Sequence, residues 1–471
     1  MKNRFRATAV LFFILALVGC SLFTYPVNPQ LTRYDQQAGY RFENLKAPEK
    51  SDSLFVILTF SGGGTRAAAL SYGVLEKLRD TKIQWEGKER RLLDEVDVIS
   101  SISGGSFTAA YYGLFGDELF DPEKFRKVFL YQNLESELFA SMCNPVNWFR
   151  LASPYFGRID LAEEIYDREI FRNKTFGDLT RQGKRPFIMI NATDMTVGSQ
   201  FTFIQEQFDL MCSDLNGVHV ARAVAASSNF PIAFTPMTMN NYAGTCGYKE
   251  PIWMAEASKD LIDNPPRFNR ARIAHTYLNR SDRPYIHLLD GGVADNIGLR
   301  TPLVALSSND LPWSLPNKMN QGKIKKLVVI VVDARTDPET KIDKSPCSPG
   351  LTTIVNNIAT VPMSNYSFET VQVLHDTFDE WRSAAQYYDN CESILKKTCP
   401  KAHIPDKPPV PVDTYGIYVG FDQIKDLKER EYFLNMPTAF CLKPKEVDDL
   451  RKIGPEILDD SQEFQRLLKG L

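Results

Sequence analysis

The chain has 471 residues, 43% hydrophobic and 24% charged, a balance that excludes an intrinsically disordered polymer and allows a large buried core. Its 55 basic and 58 acidic residues leave a formal charge of -3, and no dense Lys/Arg block follows the first few residues, so no nucleic-acid partner is expected. The short clusters Lys88 to Arg91 and Lys323 to Lys326 read as solvated faces flanking strands.

At the N-terminus, Lys2, Arg4 and Arg6 precede an apolar run from Ala7 to Val18, too short to span a bilayer as a helix and patterned as a secretory signal peptide. The run ends in Leu17-Val18-Gly19-Cys20, which resembles the lipobox of bacterial lipoproteins. That resemblance implies removal of residues 1–19, acylation of Cys20 and, with Ser21 next, a lipid-anchored place in a bacterial cell envelope, at the outer membrane. Residues 20–50, polar and carrying Pro26, Pro29 and Pro48, are expected as lipidated cysteine and tether. Export permits disulfides, and seven cysteines remain beside Cys20: Cys143, Cys212, Cys246, Cys347, Cys391, Cys399 and Cys441. An odd number leaves at least one thiol free or paired with another chain. Cys391 and Cys399 are close enough to pair in a loop, connectivity does not follow from spacing, and no spacing suits zinc.

From Ser53 the chain reads as a fold. Leu54 to Phe60 is a continuous apolar run, as for a strand buried on both faces of a parallel sheet, and Thr65 to Arg79 follows at helical spacing. Val96 to Ser101 and Phe107 to Leu114 repeat that order of strand, turn and helix, which predicts a parallel α/β sheet. Further strands are expected at Pro186 to Asn191, Tyr285 to Leu289, Leu327 to Val332 and Thr414 to Phe421. The aromatic-rich stretch 115–176 reads as a helical insertion that supplies an acyl pocket, a lid or core, and 240–283 as a second insertion. A catalytic domain is therefore expected over 51–340, with 341–471 as an extension packed on it.

Two turns and one strand end carry the chemistry. Ser61-Gly62-Gly63-Gly64-Thr65-Arg66 joins a buried strand to a helix, where backbone N–H groups collect at a positive helix terminus. It lacks the residues of a nucleotide P-loop or a dinucleotide fingerprint, so no cofactor is expected. Ser101-Ile102-Ser103-Gly104-Gly105 sits between strand and helix, the setting that presents a serine hydroxyl on a sharp turn, with Ser101 where a Gly-x-Ser-x-Gly elbow has glycine. None of the five histidines, His219, His275, His287, His375 and His403, sits at a strand end, and His287 reads as a packed core residue. Asp290, followed by Gly291 and Gly292, does end a strand, and can reach the same sheet edge as Ser103.

These motifs, in this order, resemble the patatin-like phospholipase family. The resemblance implies a three-layer sandwich with a mainly parallel central sheet and a serine-aspartate dyad without histidine or metal. Ser103 would be the nucleophile and Asp290 the base, with Gly62, Gly63, Gly64 and Arg66 forming the oxyanion turn, Ser101 and Gly105 flanking the nucleophile, and Gly291 and Gly292 completing the Asp-Gly-Gly motif. Ala225 to Pro231 and Asn191 to Asp194 match further family segments and are taken as scaffold. A phospholipid or other lipid ester is the implied substrate, and a membrane the implied partner through the N-terminal anchor. The rival expectation is a catalytically silent envelope lipoprotein that binds lipid or a protein on the same scaffold, for which Ser101 in place of glycine is the main support.

Overall fold

The computed structural model describes residues 23–46, 50–231, 233–308, 310, 314–316, 319, 322–337, 343, 344, 346, 348–401, 403, 404 and 413–471. Among these residues the strands are β1 (Leu54–Phe60), β2 (Lys82–Trp85), β3 (Lys88–Arg91), β4 (Val96–Ile102), β5 (Phe187–Asp194), β6 (Ser199–Thr202), β7 (Met237–Asn240), β8 (Tyr285–Leu289), β9 (Lys326–Asp333) and β10 (Asp413–Gly420). One sheet runs β10-β9-β1-β4-β5-β8-β7 with β6 added beside β5, and β2 and β3 form a separate hairpin. Pairing is parallel from β10 to β5 and antiparallel where β5 meets β6 and β8 and where β8 meets β7. The chain is thus a mixed α/β fold on a mainly parallel central sheet.

The sequence explains the centre of this sheet directly. Every residue of β1, β4 and β5 is buried, as strands covered on both faces require; β1 is apolar but for Thr59, and β4 and β5 also bury polar residues toward their carboxyl ends. Asp97 is the charged exception in β4. Its carboxylate accepts the Val56 N–H at 2.9 Å where the register of β1 and β4 shifts, and it pairs with Lys50 and Arg185, each at 2.7 Å. β1 and β4 run straight into α1 (Gly64–Asp80) and α2 (Ser103–Phe115), so the two turns that carry the motifs lie side by side at the carboxyl edge of adjacent strands.

The later helices used below are α3 (Leu134–Cys143), α4 (Pro145–Leu151), α5 (Val220–Ser227), α6 (Leu351–Thr398) and α7 (Pro444–Asp460). α7 packs on α1 so closely that a Cβ on Gly73 would stand 2.2 Å from the Arg451 carbonyl. Residues beyond 340 therefore supply both an edge strand, β10, and a helix against the one that follows the glycine turn.

Several expectations need correction. Lys88 to Arg91 does not flank a strand but is one, β3; it has no apolar alternation because its hairpin covers little core. Residues 23–46 are packed on the body rather than loose: Tyr40, Phe42 and Leu45 are buried, and the Ile188 N–H donates to the Tyr40 hydroxyl at 2.8 Å. The aromatic insertion divides, with Phe125, Phe129 and Phe171 buried around Phe107 and Phe139, Trp148 and Phe149 exposed. His287 is not in the core; it lies on the exposed side of β8 and bonds Thr238 at 3.1 Å. The disulfide joins Cys212 to Cys246, whereas Cys391 and Cys399 are free, since α6 rises about 1.5 Å per residue and holds them apart. Cys20, the signal segment and Cys347 lie outside the described residues.

Candidate active site

Ser103 is the first residue of α2 and takes φ +47°, a left-handed conformation that a non-glycine residue adopts only when its surroundings impose it. The Ser103 N–H donates to Ser227 Oγ at 2.8 Å, and that hydroxyl donates onward to the Asn191 carbonyl at 2.6 Å. Gly105 donates its N–H to the Ser61 carbonyl at 3.2 Å, and a Cβ on Gly104 would stand 2.0 Å from the Gly64 carbonyl, so the elbow and the glycine turn touch through backbone alone. Ser101 fits without disturbance: it is fully buried and its hydroxyl donates to the Met189 carbonyl at 3.3 Å. The hydroxyl at this position thus braces β4 against β5.

Asp290 is held just as firmly. Its N–H donates to the Asn229 carbonyl at 2.9 Å, its carbonyl accepts the Thr193 hydroxyl at 2.8 Å, and its carboxylate accepts the Gly292 N–H at 2.8 Å. Gly291 lies where a Cβ would stand 2.2 Å from the Asn191 carbonyl. The segments Asn191 to Asp194 and Ala225 to Pro231 therefore grip the two motif turns from behind, through Asn191, Thr193, Ser227 and Asn229. The Ser103 side chain lies close enough to the Asp290 carboxylate to favour its ionised form. Burial pushes the carboxyl up from 3.8 to about 7, and the Gly292 N–H and the nearby Ser103 hydroxyl oppose that rise only in part.

The glycine turn lies against the serine: a Cβ on Gly62 would stand 3.4 Å from Ser103 Cβ. The four expected turn residues do different things. Gly62 has already given its N–H to the Asn296 carbonyl at 2.9 Å. Gly63, at φ +136°, and Gly64 have N–H groups with no acceptor among the described residues, and the same holds for Gly104. Arg66 directs its donors to protein acceptors. It is buried, and it donates to the Ala334 carbonyl at 2.8 Å, the Met436 carbonyl at 2.8 Å and the Thr438 hydroxyl at 3.0 Å. Burial brings its guanidinium down to about 10.

Three partners of the site have no place in the sequence reading. Asn296 packs its side-chain oxygen where a Cβ on Gly62 or Gly292 would be, at 2.5 and 2.7 Å; a polar pair, Asp295-Asn296, just past a strand-end Asp-Gly-Gly is the only hint of it. Ala439 accepts the Thr65 N–H at 2.9 Å and pairs with Gly64, and Met363 of α6 comes to 3.4 Å from a Cβ on Gly292. Neither residue carries a local signal. His219, His275 and His287 are partnered by Asp167, Glu250 and Thr238. Among the described residues no cluster of three or more His, Cys, Asp or Glu could hold a metal ion. A cleft of about 550 Å³ between β9, β10 and α6 is lined by Asp333, Arg335, His375 and Tyr418, and neither Ser103 nor Asp290 lines it.

A serine on a strained strand-to-helix turn, a buried carboxyl beside it and adjacent unspent amides form one site, and the family model for patatin-like phospholipase matches residues 58–303, which contain all of them. The chain belongs to the patatin-like phospholipase family. No curated protein matches it. Among solved structures it is similar to human GIVD cytosolic phospholipase A2, at 13% identity and a TM-score of 0.40, covering 89% of this chain and 63% of that one. The same human enzyme in complex with methyl gamma-linolenyl fluorophosphonate gives 13% and 0.38, covering 89% and 60%. VipD from Legionella pneumophila gives 10% and 0.32, covering 96% and 71%. The patatin-like chain therefore spans about three fifths of the length of the human structures.

Proposed function

We propose that this chain is a lipid acyl hydrolase in which Ser103 attacks an ester carbonyl and Asp290 takes the serine proton. The observation that carries this reading is the pairing of a left-handed Ser103 with a buried Asp290 whose carboxyl titrates at about 7 rather than 3.8. An ordinary aspartate is too weak a base for a hydroxyl, and burial brings this one near the pH at which it works. The N–H groups of Gly63, Gly64 and Gly104 then hold the oxyanion that forms as Ser103 Oγ bonds to carbon, a reduction from the full expected set because Gly62 is already engaged. Asp290 returns the proton to the departing alcohol, leaving an acyl-serine. A water then gives one proton to Asp290 and its oxygen to the acyl carbon; the bond from that carbon to Ser103 Oγ breaks, Asp290 returns the proton to Oγ, and the fatty acid leaves with the serine restored.

Phospholipids and related lipid esters are the substrates this reading favours, on the strength of family membership. The anchor is part of the same proposal: acylation at Cys20 after removal of residues 1–19 would hold the enzyme at an envelope membrane of a bacterium, its substrate phase. Among the described residues no helix is long and apolar enough to cross a membrane. The deciding experiment is covalent labelling of purified protein by a fluorophosphonate, with and without Ser103. Labelling that depends on Ser103 supports the hydrolase; an unlabelled folded protein would favour the silent scaffold instead. Fatty-acid labelling that persists in Cys20→Ser would end the lipoprotein reading.

A further inference from the structure

Five large apolar side chains within one short stretch stand in solvent: Phe139 (65% exposed), Val146 (67%), Trp148 (59%), Phe149 (47%) and Tyr155 (56%). From Leu138 to Phe149 the sequence carries no charge, in a chain that is 24% charged. The stretch is a fixed platform. The Asn147 amide of α4 donates to the Ser141 carbonyl and hydroxyl of α3 at 2.8 and 3.1 Å, and the Trp148 indole donates to the Met142 carbonyl at 2.9 Å. At its edge the Arg150 guanidinium is tied to Glu164 and lies 4.2 Å over the Phe156 ring, so it does not project through the apolar face.

Two further relationships say what covers this face. The first is the course of the N-terminal segment: Tyr25 donates its N–H to the Tyr155 carbonyl at 2.7 Å, and the Ser153 hydroxyl donates to the Phe23 carbonyl at 2.6 Å. Phe23 is the third residue after Cys20, a chain length of about 10 Å at most, so a lipid on Cys20 would enter the bilayer beside the platform. The second is the route to the site. Glu135 of α3 accepts the Phe440 N–H at 2.8 Å, next to Ala439 on the glycine turn, and Phe139 lies one helical turn beyond Glu135.

We propose that Phe139, Val146, Trp148, Phe149 and Tyr155 form a membrane-contact face, which rests on the lipid surface between the anchor and the mouth of the site. This rests on the hydrolase reading and on acylation of Cys20. Trp and Tyr prefer the headgroup level, the absence of charge removes the desolvation penalty, and a nearby anchor raises the effective concentration of lipid so that a small face suffices. The consequence is orientation: the face turns the Ser103 turn toward the phase that holds its substrate.

The full chain, reconstituted in phosphatidylethanolamine and phosphatidylglycerol vesicles doped with brominated phosphatidylcholine, tests this. Part of its tryptophan fluorescence should be quenched, and Trp148→Phe should remove that part. Joint Phe139→Ser, Trp148→Ser and Phe149→Ser changes should slow hydrolysis of vesicle lipid by on the order of tenfold while hydrolysis of a soluble short-chain ester is unchanged. Quenching needs no catalysis, so an inactive protein would defeat the functional reading and leave quenching to decide this one. Equal quenching of the wild type and Trp148→Phe would overturn it, as would a face shielded in a protein dimer instead of in lipid.

Discussion

Ser227 holds Ser103 by its backbone: the Ser103 N–H donates to Ser227 Oγ at 2.8 Å, and Ser227 in turn donates to the Asn191 carbonyl at 2.6 Å. Ser227→Ala removes an acceptor from a buried N–H, which should cost about 1–3 kcal/mol of stability. Turnover should fall as well, since the left-handed serine loses its brace, whereas the Michaelis constant should change little. Thermal unfolding and steady-state kinetics on a short-chain ester check both; unchanged turnover in a destabilised protein would make Ser227 a stability residue alone.

Ser103→Ala and Asp290→Asn should each nearly abolish ester hydrolysis in a folded protein. A nucleophile and its base act as a unit, so the double variant should be scarcely slower than either single one. Residual rates of the three proteins, measured side by side, decide it; strictly multiplicative losses would separate the two groups.

The raised carboxyl of Asp290 predicts two opposite pH effects. Hydrolysis needs the ionised form, so kcat/KM should climb about tenfold per pH unit toward pH 7 and level off above it. Stability should move the other way. Between the unfolded value of 3.8 and the folded value of about 7, the native state holds a proton that the unfolded chain has released, so stability falls as pH rises through this window. The buried Asp333, raised to about 6, adds to the fall. Asp290→Asn should remove its share, up to about 4 kcal/mol, and be more stable than the wild type at pH 8. Denaturant melts at pH 4 and pH 8 would show it.

Gly63 at φ +136° is the position where a side chain should most directly harm the chemistry. In Gly63→Ala the new Cβ meets Arg66 Nη2 at 3.0 Å and Ala67 Cβ at 3.3 Å, and relief of that crowding and of the disfavoured φ turns the N–H aside. Loss of one oxyanion donor costs on the order of 100-fold to 1000-fold in turnover, with the Michaelis constant little changed. A normal rate in a folded Gly63→Ala would leave the glycine a packing role.

The Cys212–Cys246 disulfide closes a loop of 34 residues. Reduction, or a Cys212→Ser/Cys246→Ser double change, should therefore lower stability by about 3–4 kcal/mol in the chain-entropy account. Melts with and without a thiol reductant test the size.

What could be read from sequence was whatever is encoded locally. β1 and β9 announce themselves because both faces are buried and the apolar run is continuous, β4 and β8 by shorter apolar stretches, and the turns after β1, β4 and β8 carry glycines wherever backbone approaches backbone. Ser103 and Asp290 could be paired on paper because each follows a strand, although β8 runs antiparallel to β5 and brings Asp290 beside the carboxyl end of β5 from the opposite direction. β6 and β7 escaped, being four residues each with no apolar run, and so did the hairpin strand β3. Gly62 could not be told from Gly63, since the difference is a carbonyl of Asn296 more than 230 residues away in the chain. The disulfide was hidden for the same reason: Cys212 and Cys246 meet only after the fold brings them together.

Arg66 carries one more consequence. Its two Nη atoms bond Met436 and Thr438, which follow it by 370 and 372 residues. The ribosome delivers a chain from its N-terminus, so Ser103, Asp290 and the amides of Gly63 and Gly64 all emerge well before the residues that lock the glycine turn in shape. Long-range contacts form slowly and late. A truncated copy would thus carry Ser103, Asp290 and the glycine-turn amides and still lack a finished turn, which would keep the proposed hydrolase idle until its synthesis is complete.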